Sequence, residues 1–471
     1  MEQITRQQVA EIVNKQREYF KKGETLDVNF RIKQLNKLKQ MVVNNEARMI
    51  EALKADLGRH LVEAYFCDVG SVVLEINETL KGLRRWARPK TLFSGLHCAP
   101  SIITKVYRMP FGNTLIMSPF NFPFLLALGP LIPAIAGGNT AVIKASHKSA
   151  NCTALLKELI SETFAEEYIT VIDGDHDVAD YCLEERFDKI FYTGSPRVAV
   201  HVMEMAAKNL TPVTLELGGE NGNWCIVRKD ADIKDAARKI AFFKACNSGQ
   251  ICINLNHVAV AREVADEFIR ELKKAFERTV GVDPVNSDEY PKLISPEAYD
   301  KCAAEADEFR SRIVYGGFGN KEKQKYAPTI IYPVNTDESL VNHELFCPII
   351  PIIPFDDDKV DEIIDVMASK EHGLALYIFT RNKKWANKIF RTQQYGGGCY
   401  NEVILFLMVK GAPFNGTGRS GMGTYHGKFG FEEFSHPSTV LYGLRHFNLN
   451  MREHPYEGKT YKYKLLKFFE R

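Results

Sequence analysis

The chain has 471 residues, of which 45% are hydrophobic and 25% are charged, and this composition is typical of a soluble protein with an ample core. The length corresponds to about three domain-sized units. Lysine and arginine number 61 against 59 aspartate and glutamate, so the net charge of +2 gives no general electrostatic reason to bind nucleic acid.

The N-terminus and the cysteines both indicate an intracellular protein. Residues 1–8 lack the apolar segment of a secretory signal, so we expect a cytoplasmic location. The ten cysteines, from Cys67 to Cys399, include no Cys-x-x-Cys pair. This spacing predicts reduced thiols and argues against a disulfide framework or a zinc site, and no metal is expected.

The first part of the chain is predicted to be helical. From Arg6 to Trp86, apolar residues recur at three- and four-residue spacing between long charged side chains. The apolar stretch from Thr114 to Ile143 contains four prolines, so it is predicted to form a strand, a loop and a buried helix, not a membrane span.

Two series of short apolar runs follow, and helix-like segments separate the runs. The first series comprises residues 113–117, 140–143, 169–172, 189–192 and 213–215, and the second comprises 224–227, 257–260, 350–353 and 375–379. This alternation predicts an α/β fold with parallel, doubly wound sheets that bind ligands at the carboxyl ends of their strands. No Gly/Ser linker separates the series, so the two units should pack closely.

Three segments carry candidate chemistry. Cys252 follows a Gly-containing bend in Ser-Gly-Gln-Ile-Cys, and a thiol there is a candidate nucleophile, although most free cysteines are buried structural thiols. Glu216 ends a strand-like run before two glycines and is a candidate base. Asn121 lies between two prolines, so its amide is a candidate donor to developing negative charge, or simply satisfies a turn.

These segments, in this order, resemble the aldehyde dehydrogenase superfamily over nearly the whole chain. The stretch from Pro413 to Phe429, followed by Phe434-Ser435-His436, narrows the resemblance to the class 3 branch, which includes fatty and aromatic aldehyde dehydrogenases. The resemblance implies that Cys252 attacks the aldehyde, Asn121 holds the oxyanion and Glu216 activates the water that releases the acid. Cys246, in the same segment as Cys252, is interpreted as structural.

The resemblance also implies NAD or NADP as cofactor. Lys144 would bind the adenosine ribose, Gly194 and Ser195 would begin a helix facing the diphosphate, and Glu344 and Phe346 would contact the nicotinamide-side ribose. Four residues depart from the family pattern: Glu220 stands in place of Lys, Pro196 and Ala199 in place of Thr and Gly, and Cys347 in place of Gly.

One further departure bears on the choice between the two cofactors. His147 replaces an acidic residue that would repel a 2′-phosphate, so we expect NADP to be accepted as well as NAD. The neighbouring Lys144 and Lys148 supply positive charge that a phosphate could use.

The expected architecture is an aldehyde dehydrogenase-like one, with a Rossmann-type cofactor-binding domain, a second α/β catalytic domain and a β oligomerisation arm. The cofactor-binding domain is assigned to residues 1–217, interrupted by residues 92–111 of the arm. The catalytic domain is assigned to 218–411. The signature loop, the second part of the arm and the tail occupy 412–471. The segments 102–108 and 430–444 are predicted to be β-rich, and the resemblance implies a homodimer.

Three alternative functions are compatible with parts of the sequence pattern. A CoA-acylating dehydrogenase would gain nothing from a hydrolytic base at Glu216. A non-catalytic binding protein on the same fold would not need Cys252, Glu216 and Asn121 together, and a cofactor-free cysteine hydrolase would need a histidine motif that the sequence lacks.

The substrate and the tail are less well defined. Phe120, Phe122, Ile251 and Phe429 predict an apolar channel for an aliphatic or aromatic aldehyde, although such residues are more often plain core. The tail, residues 459–471, mixes basic and apolar residues, and we expect a docked terminal segment with a solvated basic face in preference to a membrane-surface segment.

Overall fold

The computed structural model describes residues 4–95, 98, 101–445 and 454–469. The expected arm segment 92–111 and C-terminal segment 412–471 therefore include positions outside the described residues, namely 96, 97, 99, 100, 446–453, 470 and 471.

The helical N-terminal region is confirmed. Helix α1 begins at a capping box, in which Thr5 and Gln8 each accept a hydrogen bond from the other's backbone N–H. A single π-helical turn, Tyr65–Val69, joins α4 to α5. The helices, numbered in chain order, are α1 (Arg6–Lys21), α2 (Val28–Asn44), α3 (Glu46–Leu57), α4 (Leu61–Ala64), α5 (Gly70–Trp86), α6 (Leu125–Gly137), α7 (Ala150–Thr163), α8 (His176–Glu184), α9 (Pro196–Ala207), α10 (Ile233–Ala245), α11 (Ala265–Val280), α12 (Pro296–Glu308), α13 (Val360–Ser369), α14 (Lys383–Thr392), α15 (Gly427–Glu433) and α16 (Tyr461–Phe469).

Both predicted series of strands are present. The strands, numbered in chain order, are β1 (Lys90–Phe93), β2 (Ile103–Pro110), β3 (Asn113–Met117), β4 (Thr140–Lys144), β5 (Ile169–Ile172), β6 (Lys189–Gly194), β7 (Val213–Leu217), β8 (Asn223–Val227), β9 (Leu255–Ala261), β10 (Ile313–Tyr315), β11 (Gly319–Asn320), β12 (Lys325–Tyr326), β13 (Thr329–Ile331), β14 (Ile349–Phe355), β15 (Ala375–Phe379), β16 (Gly397–Tyr400), β17 (Gly421–Met422) and β18 (Ser435–Tyr442).

The strands form two large sheets. The first has the order β17-β7-β6-β3-β4-β5 and is parallel except for β17, which comes from the signature stretch near the C-terminus. The second has the order β10-β13-β14-β9-β8-β15-β16 and is parallel except for β10. Helices cover both faces of such sheets, which is why these strands read as uninterrupted apolar runs in the sequence.

The two sheets share one hydrophobic core, as the lack of a linker predicted. Ile116 and Phe191 of the first sheet belong to the same buried cluster as Cys225 and Val258 of the second. Helix α6 is buried almost throughout, although Pro130 and Pro133 lie within it. The predicted strand, loop and buried helix in the proline-rich stretch are therefore confirmed.

A third, three-stranded antiparallel sheet corresponds to the expected arm. Its order is β1-β2-β18, so residues from before the first large sheet pair with residues near the C-terminus. The prediction that 430–444 is β-rich is wrong at its start. Gly430 to Glu433 belong to α15, where Gly430 and Phe431 are buried under the helical turn, and the strand begins only at Ser435.

The tail forms helix α16, and its exposure differs from the expectation. Tyr463 and Phe468 are 66% and 76% exposed, whereas Lys462 is only 4% exposed. The helix therefore presents aromatic as well as basic side chains to the surface. In the described part of the chain, no helix is long and apolar enough to cross a membrane.

Candidate active site

Cys252 lies in a tight loop between α10 and β9. Helix α10 ends at Ala245, and Asn247, Ser248 and Gly249 then adopt left-handed backbone conformations, with φ of 49°, 49° and 77°. Only glycine adopts this region freely, so the two preceding residues must be held by their contacts. A Cβ added at Gly249 would overlap the backbone carbonyl of Cys347, which explains the glycine in the motif.

Side-chain hydrogen bonds fix this loop from several directions. The Ser248 hydroxyl donates to the Pro291 carbonyl at 2.6 Å, and the Asn247 backbone N–H donates to Glu63 at 2.7 Å. The Asn223 amide donates to the carbonyls of Cys252 at 2.8 Å and Asn254 at 2.7 Å. Cys252 is therefore held on a rigid support.

Asn121 lies in the loop between β3 and α6 and points at the loop that carries Cys252. Its side chain is buried, and its Nδ2 donates to the Gln250 carbonyl at 3.0 Å. An amide group has two N–H donors, so this bond fixes the amide's orientation and leaves the second N–H for another acceptor. The arrangement suits a donor to an oxyanion formed at Cys252.

Glu216 lies on β7, between Thr193 of β6 and Gly421 of β17 in the hydrogen-bonded register. Its side chain is buried, and neither carboxylate oxygen has a hydrogen-bond partner among the described residues. Burial, and after it the charge of Glu433, raises the pKa of Glu216 well above its usual value. An unpartnered buried carboxylate of this kind is costly unless it has a function.

The electrostatics of the site favour a protonated thiol at rest. Burial, followed by the charges of Glu344 and Glu216, raises the pKa of Cys252 to about 12. The backbone N–H groups of Ile253 and Cys252 act in the opposite direction, because they stabilise the thiolate. Cys252 and Glu216 therefore cannot both be ionised without repelling each other.

Cys252 and Glu216 line one cavity, and its walls are mostly apolar. The space measures about 1310 Å³ including the solvent at its mouth. Side chains from α5, α6, α10 and the segment 404–410 form its apolar walls, among them Leu74, Leu125, Phe243, Leu405, Met408, Val409 and Phe414. Its polar lining includes Glu75, Glu78 and His426.

The predicted channel residues divide between different places. Phe122 and Ile251 line the cavity, as expected. Phe120 does not line the cavity. Its ring lies 6.0 Å from the Phe346 ring between centroids, and Lys148 lies over its face. Phe120 is therefore directed towards Phe346 and Lys148, although it stands only two residues before Phe122. Phe429 lies on α15 and is not part of the cavity wall.

Cys246, interpreted from the sequence as structural, also lies close to Cys252. Cys246 lines the same cavity as Cys252, and its thiol contacts that of Cys67. The contact with Cys67, together with burial, raises the pKa of Cys246 well above its usual value. It is therefore a wall residue with a protonated thiol.

Lys144 and His147 follow the carboxyl end of β4. Lys144 is buried, and its Nζ donates to the carbonyls of Gly174 at 2.6 Å and Ala145 at 2.9 Å. His147 is exposed and lies edge-on to His176, with 5.0 Å between ring centroids. Burial, then the charges of His176 and the two lysines, lowers the pKa of His147, which favours the neutral imidazole.

Gly194 and Ser195 form the junction between β6 and α9. Ser195 caps α9, and Pro196 occupies the first helical position, where the missing N–H costs nothing. A Cβ at Gly194 would overlap the Tyr192 hydroxyl. This glycine is therefore required by a close approach.

Glu344 and Phe346 lie beside the catalytic candidates. A Cβ at Gly218 would overlap the Glu344 carboxylate, so that carboxylate lies directly over the turn that follows Glu216. Burial raises the pKa of Glu344 to about 7. Phe346 has a left-handed φ of 47°. The side chain of Cys347, which replaces a glycine of the family pattern, is buried and directs its thiol to Glu305.

Sequence reasoning missed three residues that shape the site. Asn223 carries no motif of its own in the sequence, whereas Asn247 lies five residues before Cys252, so its role could be suspected from the sequence. Arg59 follows α3 and is fully buried. In the sequence it resembles the many charged residues on the surfaces of the N-terminal helices, so no local signal distinguished it.

Comparisons with known proteins agree with this geometry. Residues 1–440 match the aldehyde dehydrogenase family. Aldehyde dehydrogenase family 3 member H1 of Arabidopsis thaliana is 34% identical over 95% of this chain and 92% of its own. A dimeric, NADP-preferring aldehyde dehydrogenase of Canis lupus familiaris is 35% identical over 92% of this chain and 94% of its own.

A solved structure is similar over the full length. The substrate-bound state of Staphylococcus aureus AldH matches with a TM-score of 0.94 at 33% identity, and the match covers 98% of this chain and 99% of that one. The predicted α/β fold is therefore confirmed. The chain belongs to the aldehyde dehydrogenase family, is class 3-like, and oxidises an aldehyde with NAD or NADP.

Proposed function

We propose that Cys252 is the nucleophile, Asn121 the oxyanion donor and Glu216 the hydrolytic base of this aldehyde dehydrogenase. One observation carries the proposal: Cys252 and Glu216 line one apolar cavity, and the Asn121 amide is hydrogen-bonded to the loop that holds Cys252. Attack by the Cys252 sulfur on the aldehyde carbon places negative charge on the aldehyde oxygen. The free N–H of Asn121, with the backbone N–H of Cys252, stabilises that charge.

Glu216 acts in the second half of the reaction, once the acyl group is bound to sulfur as a thioester. Its carboxylate takes a proton from water, the water oxygen bonds to the acyl carbon, and the carbon–sulfur bond breaks to release the carboxylic acid. Before this step the Cys252 sulfur carries no charge within the thioester, so it does not repel the Glu216 carboxylate.

The proposed cofactor contacts are not among the residues that line the cavity. Lys144 would bind the adenosine ribose, the N-terminus of α9 at Gly194 and Ser195 would face the diphosphate, and Glu344 and Phe346 would contact the nicotinamide-side ribose. In support, the Glu344 carboxylate lies against Gly218, in the turn that follows Glu216. Bound NAD or NADP supplies the hydride acceptor.

The apolar cavity supports an aliphatic or aromatic aldehyde as substrate. Its wall is built mainly from leucine, phenylalanine and methionine side chains, and a charged semialdehyde would lose solvation there. Lys410, the one lysine among the described residues of the lining, is accompanied by the carboxylates Glu75 and Glu78. A substrate panel of short, long-chain, aromatic and semialdehyde compounds tests this. A kcat/KM for a charged semialdehyde above that for the apolar compounds would contradict the proposal.

We further propose a homodimer formed through the three-stranded arm, in the cytoplasm. Strand β18 pairs only with β2 among the described strands, and Val440, Leu441 and Tyr442 on it are exposed. All ten cysteines lie in the described part of the chain and are free thiols, which suits a reducing compartment. The proposed boundary at residue 217 coincides with the change from the first sheet to the second, and the proposed boundary at residue 411 precedes the return to the first sheet at β17.

The nucleophile assignment is tested by Cys252→Ala. We expect loss of dehydrogenase activity with all aldehydes, because the covalent step is removed, while NAD(P)⁺ affinity stays within about twofold of wild type. Cys246→Ala is the matched control, since it removes a thiol from the same loop and cavity wall and should leave turnover largely intact. Substantial NAD(P)H formation by Cys252→Ala would refute the mechanism, and loss in both variants would point to disruption of the loop.

A further inference from the structure

Arg59 forms a fully buried ion pair beside the active-site loops. It follows α3, and its Nη1 donates to Asp68 at 3.1 Å with both side chains 0% exposed. Asp68 belongs to the π-helical turn that precedes α5, and it also accepts the backbone N–H of Leu125 at the start of α6. The guanidinium face covers the Phe122 ring at 4.5 Å.

The remaining donors of Arg59 reach both catalytic loops. Nη2 donates to the backbone carbonyl of Asn121, and Nε donates to the side-chain oxygen of Asn247 at 3.0 Å. Asn247 extends this hydrogen-bond network, because its own Nδ2 donates to the carbonyls of Asn121 and Gln250, each at 3.0 Å. Arg59 thus joins the loop of the proposed oxyanion donor to the loop of the proposed nucleophile.

A buried ion pair is a poor way to gain stability alone, since removing two charges from water costs about as much as their attraction returns. What this pair provides is geometry. The planar guanidinium holds three acceptors at fixed mutual angles, and one flexible apolar side chain could not. Two of those acceptors belong to the loops that must meet at the reacting carbon.

We infer that Arg59 is a positioning residue that sets the placement of Asn121 relative to Cys252. The inference rests on the proposed roles of those two residues. Asn121 must approach the oxyanion to about 3 Å, and a displacement of its loop by a fraction of that distance weakens the hydrogen bond in the transition state. Arg59 acts through Asn121 and touches no substrate itself.

The test is a double-mutant cycle read by the pre-steady-state burst of reduced cofactor. The double variant Arg59→Met/Asp68→Asn removes both charges of the fully buried pair together, and Glu63, which lies 3.8 Å from Arg59, keeps its hydrogen bond from the Asn247 backbone N–H. We expect its burst rate to fall by about ten- to a hundredfold, with NAD(P)⁺ affinity within about twofold of wild type. In an Asn121→Ala background the same pair of changes should cost less than about threefold, because Asn121 is the residue through which Arg59 acts.

Three further variants separate positioning from simple structural support. Arg59→Lys keeps a cation opposite Asp68 but lacks the planar guanidinium, so it should recover the melting temperature more than the burst rate. Arg31→Met removes another buried arginine, which binds backbone carbonyls away from the site, and should lower the melting temperature without slowing the burst. Asn247→Gly is compatible with the left-handed backbone at this position, and it removes the side chain that links Arg59 to the loop of Cys252 while the ion pair stays intact. This variant replaces the double variant in the test if the double variant does not fold.

The outcomes distinguish this inference from the proposed function. If wild type forms no NAD(P)H with any aldehyde, or if Asn121→Ala keeps the wild-type burst, the proposed function has failed. If wild type is active and Asn121→Ala is slow, a folded Arg59→Met/Asp68→Asn or Asn247→Gly variant with a wild-type burst overturns the inference. Fully additive effects of the Arg59 and Asn121 changes would overturn it as well.

Discussion

Three groups that can carry a negative charge, Cys252, Glu216 and Glu344, lie close together in a buried space. Burial raises the pKa of all three groups, and for Cys252 the charges of Glu344 and Glu216 raise the pKa further. A charged Glu216 therefore opposes formation of the Cys252 thiolate. Its proposed role as base begins after sulfur has become part of a thioester.

The variant Glu216→Gln separates these two effects. We expect steady-state turnover to fall by about a hundredfold or more, because the hydrolytic base is lost, while a burst of reduced cofactor remains. Removing the carboxylate charge should also lower the pKa of Cys252, so that iodoacetamide alkylates the thiol faster at pH 8 to 9, by about tenfold for each unit of the change.

The matched control is Glu220→Gln. Glu220 lies four residues away on the surface and pairs with Arg419 at 3.2 Å, so its loss should change neither measurement. Slower alkylation in Glu216→Gln would mean that Glu216 deprotonates Cys252 instead of repelling the thiolate. Full steady turnover in that variant would show that Glu216 is not the base.

We propose that His147 lies where the 2′-phosphate of NADP⁺ would bind. Its lowered pKa favours the neutral imidazole, which neither repels nor strongly attracts a phosphate, so we expect kcat/KM for NAD⁺ and NADP⁺ to differ by much less than a thousandfold, which is roughly 4 kcal/mol. His147→Glu should weaken NADP⁺ binding about tenfold with little change for NAD⁺, as measured by titration of each cofactor. An equal effect on both cofactors would contradict this placement.

At the scale of single elements, β18 combines an unpaired edge with exposed apolar side chains. Charges placed on such an edge oppose strand pairing and apolar contact. The double change Val440→Lys/Leu441→Lys should therefore convert a dimer, of twice 53.4 kDa, into a monomer in light-scattering measurements. Leu210→Lys is the control, since Leu210 is 91% exposed after α9 and should not alter the mass. A wild-type monomer, or a dimer that survives the double change, would contradict the proposed interface.

The elements were predictable where one physical rule dominated. Strands buried on both faces leave continuous apolar runs, so all nine predicted strands of the two large sheets are present. The prediction for the start of segment 430–444 was wrong because Gly430 and Phe431 belong to the short helix α15. Their burial is set by tertiary contacts and not by the alternation of buried and exposed residues that marks a strand. For the tail, composition gave the basic character of α16 but not which side of the helix the protein would cover.

At the scale of the whole molecule, raised carboxylate pKa values make stability depend on pH. Glu344 titrates at about 7 in the folded chain and near 4.3 when unfolded, so its stabilising contribution is complete below pH 4 and is lost as pH rises through 7. Glu344→Gln, which cannot ionise, should therefore melt at a higher temperature than wild type at pH 8, and the difference should shrink at pH 5. A difference that grows as pH falls would reverse the sign.

The sequence identified candidate site residues more readily than the residues that hold them. Motifs around Cys252, Glu216 and Asn121 are contiguous and glycine- or proline-rich, so they can be recognised from the sequence alone. Arg59 is 62 residues from Asn121 and 188 residues from Asn247, which accept its hydrogen bonds, and neither Arg59 nor Asp68 differs in any local way from a solvated charge. Phe120 and Phe122 could not be separated either, because only the turn between them directs one towards Phe346 and the other to the cavity.

The crowding of Cys252 by two carboxyl groups also bears on chemical damage. Peroxide oxidises the thiolate, not the thiol, and the first product, a sulfenic acid, can proceed to states that the cell does not reverse. Because Cys252 is held protonated at rest, an idle molecule presents a poor target to peroxide. Oxidative inactivation of this enzyme should therefore increase with the number of turnovers and not with the time that the enzyme spends without substrate.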